Sequence, residues 1–152
     1  MKMNPQEAID HILEQAPHML KEDKYHAPIL FVFGEHENAI VLIDFKDIDS
    51  KYSAMLTTGK KLAFLKPHCI AFVSEAWISK TFPPENKHVS DMPDKQEALQ
   101  AIAQNLEGEI KAIAIPFFRV GNEILFGEPI ESSEAESYLL ELFWRGVRES
   151  SH

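Results

Sequence analysis

Cysteine is nearly missing from this chain of 152 residues: Cys69 stands alone. That excludes an internal disulfide and a Cys-rich zinc site. Long apolar runs are missing too. The longest, Ala27 to Phe33 and Ala112 to Phe118, span seven residues each and both contain a proline. A membrane-spanning helix needs about 20. The opening residues Met-Lys-Met-Asn-Pro-Gln-Glu hold no apolar signal core, so the cytoplasm is the expected compartment. Positive charge is in deficit, with 15 Lys+Arg against 24 Asp+Glu and a net charge of −9. This argues against non-specific binding to nucleic acid or an anionic membrane. There is no internal repeat, no G-x-G-x-x-G and no G-x-S-x-G.

What remains is an ordinary globular balance, 45% apolar and 26% charged, long enough for one domain over 1–152. Asn4, Pro5 and Glu7 signal a helix start, and Ala8, Ile9, Ile12, Leu13 and Ala16 give it one apolar face. Pro17 interrupts it, leaving Met19 and Leu20 in a short turn. Ile29–Phe33 and Ala39–Phe45 read as a hairpin around a polar turn. A second helix covers about Ser50 to Leu65, capped by Asp49 or Ser50, with Tyr52, Met55, Leu56, Gly59, Leu62 and Ala63 on one face. Cys69–Ile78 is a strand with Ile70, Phe72 and Val73 toward the core. A long proline-bearing loop runs from 79 to 94. Ile110–Val120 and Glu123–Phe126 form a hairpin through Gly121-Asn122. Ser133 with Glu136 opens a last helix, whose stripe is Tyr138, Leu139, Leu142, Phe143 and Val147.

Few residues carry chemistry by pattern. The seven histidines form no ligand spacing, and His11 and His18 stand ~10.5 Å apart along a straight helix. Cys69 and His68 are strand neighbours that point to opposite faces, so they make no nucleophile–base pair. Thr57-Thr58-Gly59-Lys60-Lys61 lacks the earlier glycine and the final hydroxyl of a phosphate loop. Lys60, Lys61 and Lys66 cluster, but as a helix end rather than a nucleic-acid surface. One constellation is left: Glu75 and Trp77 near the end of the Cys69–Ile78 strand, then Ser90-Asp91-Met92-Pro93-Asp94-Lys95-Gln96-Glu97. Glu75, Asp91, Asp94 and Glu97 could serve proton transfer or a hard cation, with Lys95 beside them. Turn, cap and ion-pair chemistry accounts for the same residues one by one. Trp77 and Trp144 are the candidate contact surface where exposed; for Trp144, which follows Leu142-Phe143, packing in or at the boundary of the core is the favoured reading.

The segments Phe72-Val73-Ser74-Glu75-Ala76-Trp77 and Ser90 to Leu99 carry a motif pair, E-A-W and S-x-x-P-D-(R/K)-x-E. This pair resembles a family of prokaryotic and phage-encoded proteins to which no activity is attached. The resemblance therefore implies no reaction, cofactor or metal. It implies a structural point: the residues after P-D-(R/K)-x-E are strand-like. Ala98, Leu99, Ile102, Ala103 and Leu106 match a helical period. On the resemblance, Glu97–Gln104 is nonetheless taken as a strand. The expected fold is α+β, with about six mainly antiparallel strands in the order α-β-β-α-β-β-β-β-α and helices on one face. The expected function is a small accessory domain acting by protein–protein contact, with self-association or an unknown protein partner. The alternative is a divalent-metal-dependent hydrolase or nuclease-like enzyme built on Glu75, Asp91, Asp94 and Glu97.

Overall fold

In the computed structural model, which describes residues 2–43, 45–79, 91–132 and 138–150, Asn4 caps the first helix. Its side-chain oxygen accepts from the Glu7 N–H at 2.8 Å, and the Glu7 carboxylate accepts from the Asn4 N–H at 3.1 Å. This reciprocal cap, with Pro5 in the first turn, sets α1 at Pro5–Leu13. Pro17 does end that helix. It also opens the next, α2 at Ala16–Asp23, in whose first turn a missing N–H costs nothing. The stretch 80–90, with Ser90, and the expected Ser133–Glu136 cap lie outside the described residues.

β1 (Ile29–Phe33) and β2 (Asn38–Leu42) form the expected antiparallel hairpin. Helix α3 (Ile48–Leu62) follows and tightens into a 3-10 turn at Ala63–Leu65. Its cap is Asp47, earlier than the expected Asp49 or Ser50. Asp47 accepts from the Ser50 N–H at 2.8 Å, and Ser50 Oγ accepts from the Asp47 N–H at 3.1 Å. The serine thus completes the cap from the third helical position.

β3 (Cys69–Ile78) and β4 (Gln96–Asn105) pair antiparallel along their whole length, so the expected Glu97–Gln104 strand is present against its own periodicity. β5 (Ile110–Val120) and β6 (Glu123–Phe126) form the expected hairpin, with Gly121 at φ +61° in its turn. β7 (Ile130–Ser132), not foreseen from sequence, returns to β5. Among the described residues the sheet has seven strands in the order β2-β1-β3-β4-β5, with β6 and β7 sharing the outer side of β5. Pro116 explains why that outer strand is split. Its carbonyl accepts from the Gly127 N–H at 2.8 Å, so its nitrogen faces the same side and has no hydrogen to give. The ladder breaks there.

The α+β class and antiparallel sheet hold. The sequence reading puts the helices on one face; they lie on both. α1 and α2 cover Cys69, Ala71, Val73, Leu99, Ala101, Ala103 and Phe117. On the opposite face α3 and α4 (Tyr138–Ser150) cover Leu30, Val32, Ile70, Phe72, Ile102 and Ala112. β3 begins with five consecutive buried residues, Cys69 to Val73. A strand apolar on both sides needs a layer on each. The buried side of α4 is also wider than its expected stripe: Leu140, Trp144 and Gly146 join Leu142, Phe143 and Val147, whereas Tyr138 is exposed. Its packing against α3 is backbone to backbone. A Cβ on Gly146 would collide with the Leu56 carbonyl, and one on Gly59 with the Phe143 carbonyl.

Where β3 begins, His68 Nε2 accepts from the Met3 N–H at 2.8 Å, which ties the segment before α1 to the sheet. Burial first, and the charge of Lys2 second, lower the His68 pKa. The unfolded chain, with its histidine near the ordinary value of about 6.5, therefore takes up a proton before the folded one does. The stabilisation is complete above that value and is lost as pH falls through the lower folded pKa. Urea unfolding at several values between about pH 7.5 and 5 should show this decline. His68→Gln should flatten it. Next to it, Cys69 is buried, and burial pushes its thiol up to about 12. It is a core residue, packed under α1.

Candidate functional site

Side chains alternate along a strand, so odd-numbered residues of β3, β4 and β5 face α1 and α2. Helical cover stops before the strands do. Beyond it, the same face presents Glu75 and Trp77 from β3, Lys95 and Glu97 from the start of β4, and Arg119 from the end of β5. Trp77 stands directly opposite Glu97 in the β3–β4 register. The structure therefore brings Glu75, Trp77, Lys95 and Glu97 together at one end of the sheet.

Two carboxylates on one face need a cation. The sequence pointed to Lys95 or a bound ion, but Arg119 supplies it. Arg119 Nε donates to Glu97 at 3.0 and 3.3 Å, and Nη2 donates to Glu75 Oε1 at 3.0 Å. The remaining arm, Nη1, donates at 2.8 Å to the carbonyl of Lys24, the left-handed residue that closes α2. Glu75 Oε2 accepts from the His26 N–H at 2.9 Å. The guanidinium also lies over the Phe117 ring, 5.2 Å from its centre. Both carboxylates are thereby held by charge-assisted hydrogen bonds. The network fastens the α2–β1 connection, including buried His26, to the sheet. In the binding-energy sense it is a closed set of contacts, since each acid already has a cationic donor.

Lys95 has a different neighbour. Its ammonium sits over the Trp77 ring, 4.7 Å from the centre, and the indole is exposed. Asp94 accepts from Ser79 Oγ at 2.7 Å, a bond that draws the two ends of the connection between β3 and β4 together. Asp91 lies in the turn before β4, next to buried Met92. Among the described residues, no group of three His, Cys, Asp or Glu side chains is arranged to hold a metal ion. Trp144 is not surface at all. It is buried between α4 and the sheet, edge-on to Phe143, and its indole N–H has no hydrogen-bond partner among the described residues.

Arg119, Lys24 and His26 were missed in the sequence. For Arg119 a signal existed: Ile113, Ile115 and Phe117 alternate onto one face, and the same alternation carries position 119 there. Using it required knowing that β5 lies beside β4 and β4 beside β3.

Another cluster occupies the same end of the sheet on its opposite face. Phe118 and Leu125 are cross-strand partners, and Val120 follows two residues on. They are 48%, 50% and 56% exposed. At the other end of β3, a cleft of about 670 Å³ is lined by Lys2, Lys66, His68, Leu106 and Arg148.

A family model described as bacteriophage lambda protein ea47 matches residues 1–144. No curated protein and no solved structure matches the chain.

Proposed function

Because the chain belongs to the family of bacteriophage lambda protein ea47, a phage-encoded family, we propose that it is a small accessory protein acting through protein–protein contact at the β5–β6 end of the sheet. The observation that carries this reading is the apolar trio Phe118, Val120 and Leu125. All three are about half exposed, on one face of one hairpin, in a chain of net charge −9. Contiguous apolar surface beyond helical cover marks an interaction site more often than a solvated face does. Trp77, exposed on the reverse of the same end, extends it. The charge balance favours a protein partner over nucleic acid. No helix among the described residues is long and apolar enough to cross a membrane.

A photo-crosslinking residue at position 118 or 125 tests this in cells producing the protein. One discrete adduct is expected from both positions and none from exposed Lys61 on α3. Leu125→Asp should remove the adduct formed from position 118 while leaving the melting temperature unchanged. Equal labelling from position 61, or an adduct indifferent to Leu125→Asp, would refute the reading.

A further inference from the structure

His68 stands just before β3, and its backbone is fixed on both sides. Its N–H donates to the Phe33 carbonyl and its carbonyl accepts from the Leu106 N–H, both at 2.9 Å. The ring holds something else. Its Nε2 accepts from the Met3 N–H at 2.8 Å, so the neutral ring carries its proton on Nδ1. Among the described residues this is the one hydrogen bond that Lys2 or Met3 makes. From Asn4 onward the chain is secured without the histidine. Asn4 and Glu7 cap each other, and the Asn4 carbonyl accepts from the Ala8 N–H at 3.0 Å.

Lys2 and Met3 therefore form a strap, anchored at Asn4 and clasped by one imidazole nitrogen. Met3 is partly buried against the core layer under α1. Lys2 and His68 border two hollows at once: one of about 160 Å³ that reaches Phe33 and Gly34, and the cleft of about 670 Å³ that reaches Leu106 and Arg148. Lifting the strap would let the two run together.

We propose that His68 is a pH-sensitive latch: its neutral ring holds the Lys2–Met3 strap against the sheet, and protonation at Nε2 releases the strap while α1 and the sheet stay folded. The proposal concerns the opposite end of the sheet from the hairpin contact and stands independently of it. Two effects of the proton act in one direction. It occupies the lone pair that holds the Met3 N–H. It also sets an imidazolium near the ammonium of Lys2, which the strap itself carries. The charged groups around the ring come from several elements. Lys2 and the amino terminus oppose protonation, and Glu107, between β4 and β5, favours it. Glu7 of α1 lines the smaller hollow and is engaged in the Asn4 cap. Glu35, Lys66 and Arg148 line the larger. Of these, Glu35 pairs with Lys66 at 3.7 Å and Arg148 with Glu141 at 3.0 Å, so their charges largely cancel.

Methyl NMR of the full chain with labelled methionines reads the strap directly, while buried Met55 and Met92 report the core. On titration from about pH 8 to 4.5, the Met3 methyl should move to the position of a solvated methionine with the midpoint of the His68 ring signal. Met55 and Met92 should not move. In His68→Gln the amide oxygen can accept at every pH, and Met3 should stay packed throughout. In His68→Ala it should be solvated throughout, with an unchanged circular dichroism spectrum. Lys2→Gln should raise the midpoint. A Met3 methyl that stays packed while His68 titrates would overturn the proposal. So would the same transition in His68→Gln, or a shift of Met55 together with Met3, which marks unfolding of the whole chain.

Discussion

Gly146→Val should abolish cooperative unfolding, and Gly146→Ala should cost about 2–4 kcal/mol despite alanine's better helix propensity of ~1 kcal/mol. The added Cβ meets the Leu56 carbonyl and comes within 2.9 Å of the Lys60 nitrogen. These are backbone atoms of α3, which no rotamer change can move aside. Gly59 makes the reciprocal approach to the Phe143 carbonyl, so the crossing has no slack on either side. Separating the helices by the width of a methyl group would draw Leu140, Phe143 and Trp144 away from Ile70, Phe72 and Ile102, and cavities of that kind cost several kcal/mol. Urea denaturation monitored by tryptophan fluorescence checks this, because Trp144 reports the affected core. A chain ending at Glu131 should fail in the same way. A soluble, cooperative truncation would contradict the assignment of α4 to the core.

Arg119→Met should have the next largest effect, a loss of about 2 kcal/mol. The network is part-exposed, and solvent screening limits its worth. The loss comes less from the missing attraction than from what is left behind: two carboxylates on one face and a Lys24 carbonyl without its donor. Adding Glu75→Gln and Glu97→Gln to Arg119→Met should restore part of the stability, because the residual repulsion disappears. Magnesium or manganese should leave the melting temperature of the wild-type protein unchanged, as Arg119 already supplies the positive charge. A metal-dependent rise abolished by Glu97→Gln would instead place an ion between the carboxylates.

Elements bounded by clear punctuation were legible in the sequence. The limits of β3, β5 and β6 follow from runs of branched and aromatic residues bounded by turns, and α1 follows from its cap. β4 was not legible from its own residues. Leu99, Ala101 and Ala103 pack under α1 while Ile102 packs under the other helix layer. A strand buried on both faces loses its two-residue alternation, and here the apolar residues happen to fall at helical spacing. Only the resemblance carried by the P-D-K-x-E segment pointed to a strand. The placing of all helices on one face failed for the same reason, since the doubly buried run Cys69 to Val73 was read with a single core side. Trp144 falls on the packing side of its two readings, buried where the glycine crossing brings α4 close against α3. Arg119 depends on strand order, which no local pattern encodes.

The split between β6 and β7 governs what that side of the sheet can template. An intact, unguarded outer strand offers a row of free N–H and C=O groups to any extended chain that meets it. Here Pro116 withholds one donor, the cross-strand bonding of β6 ends at the Gly127–Pro116 bond, and glutamates flank the two short strands. A single imino acid in the neighbouring strand thus blunts this side against unwanted strand addition.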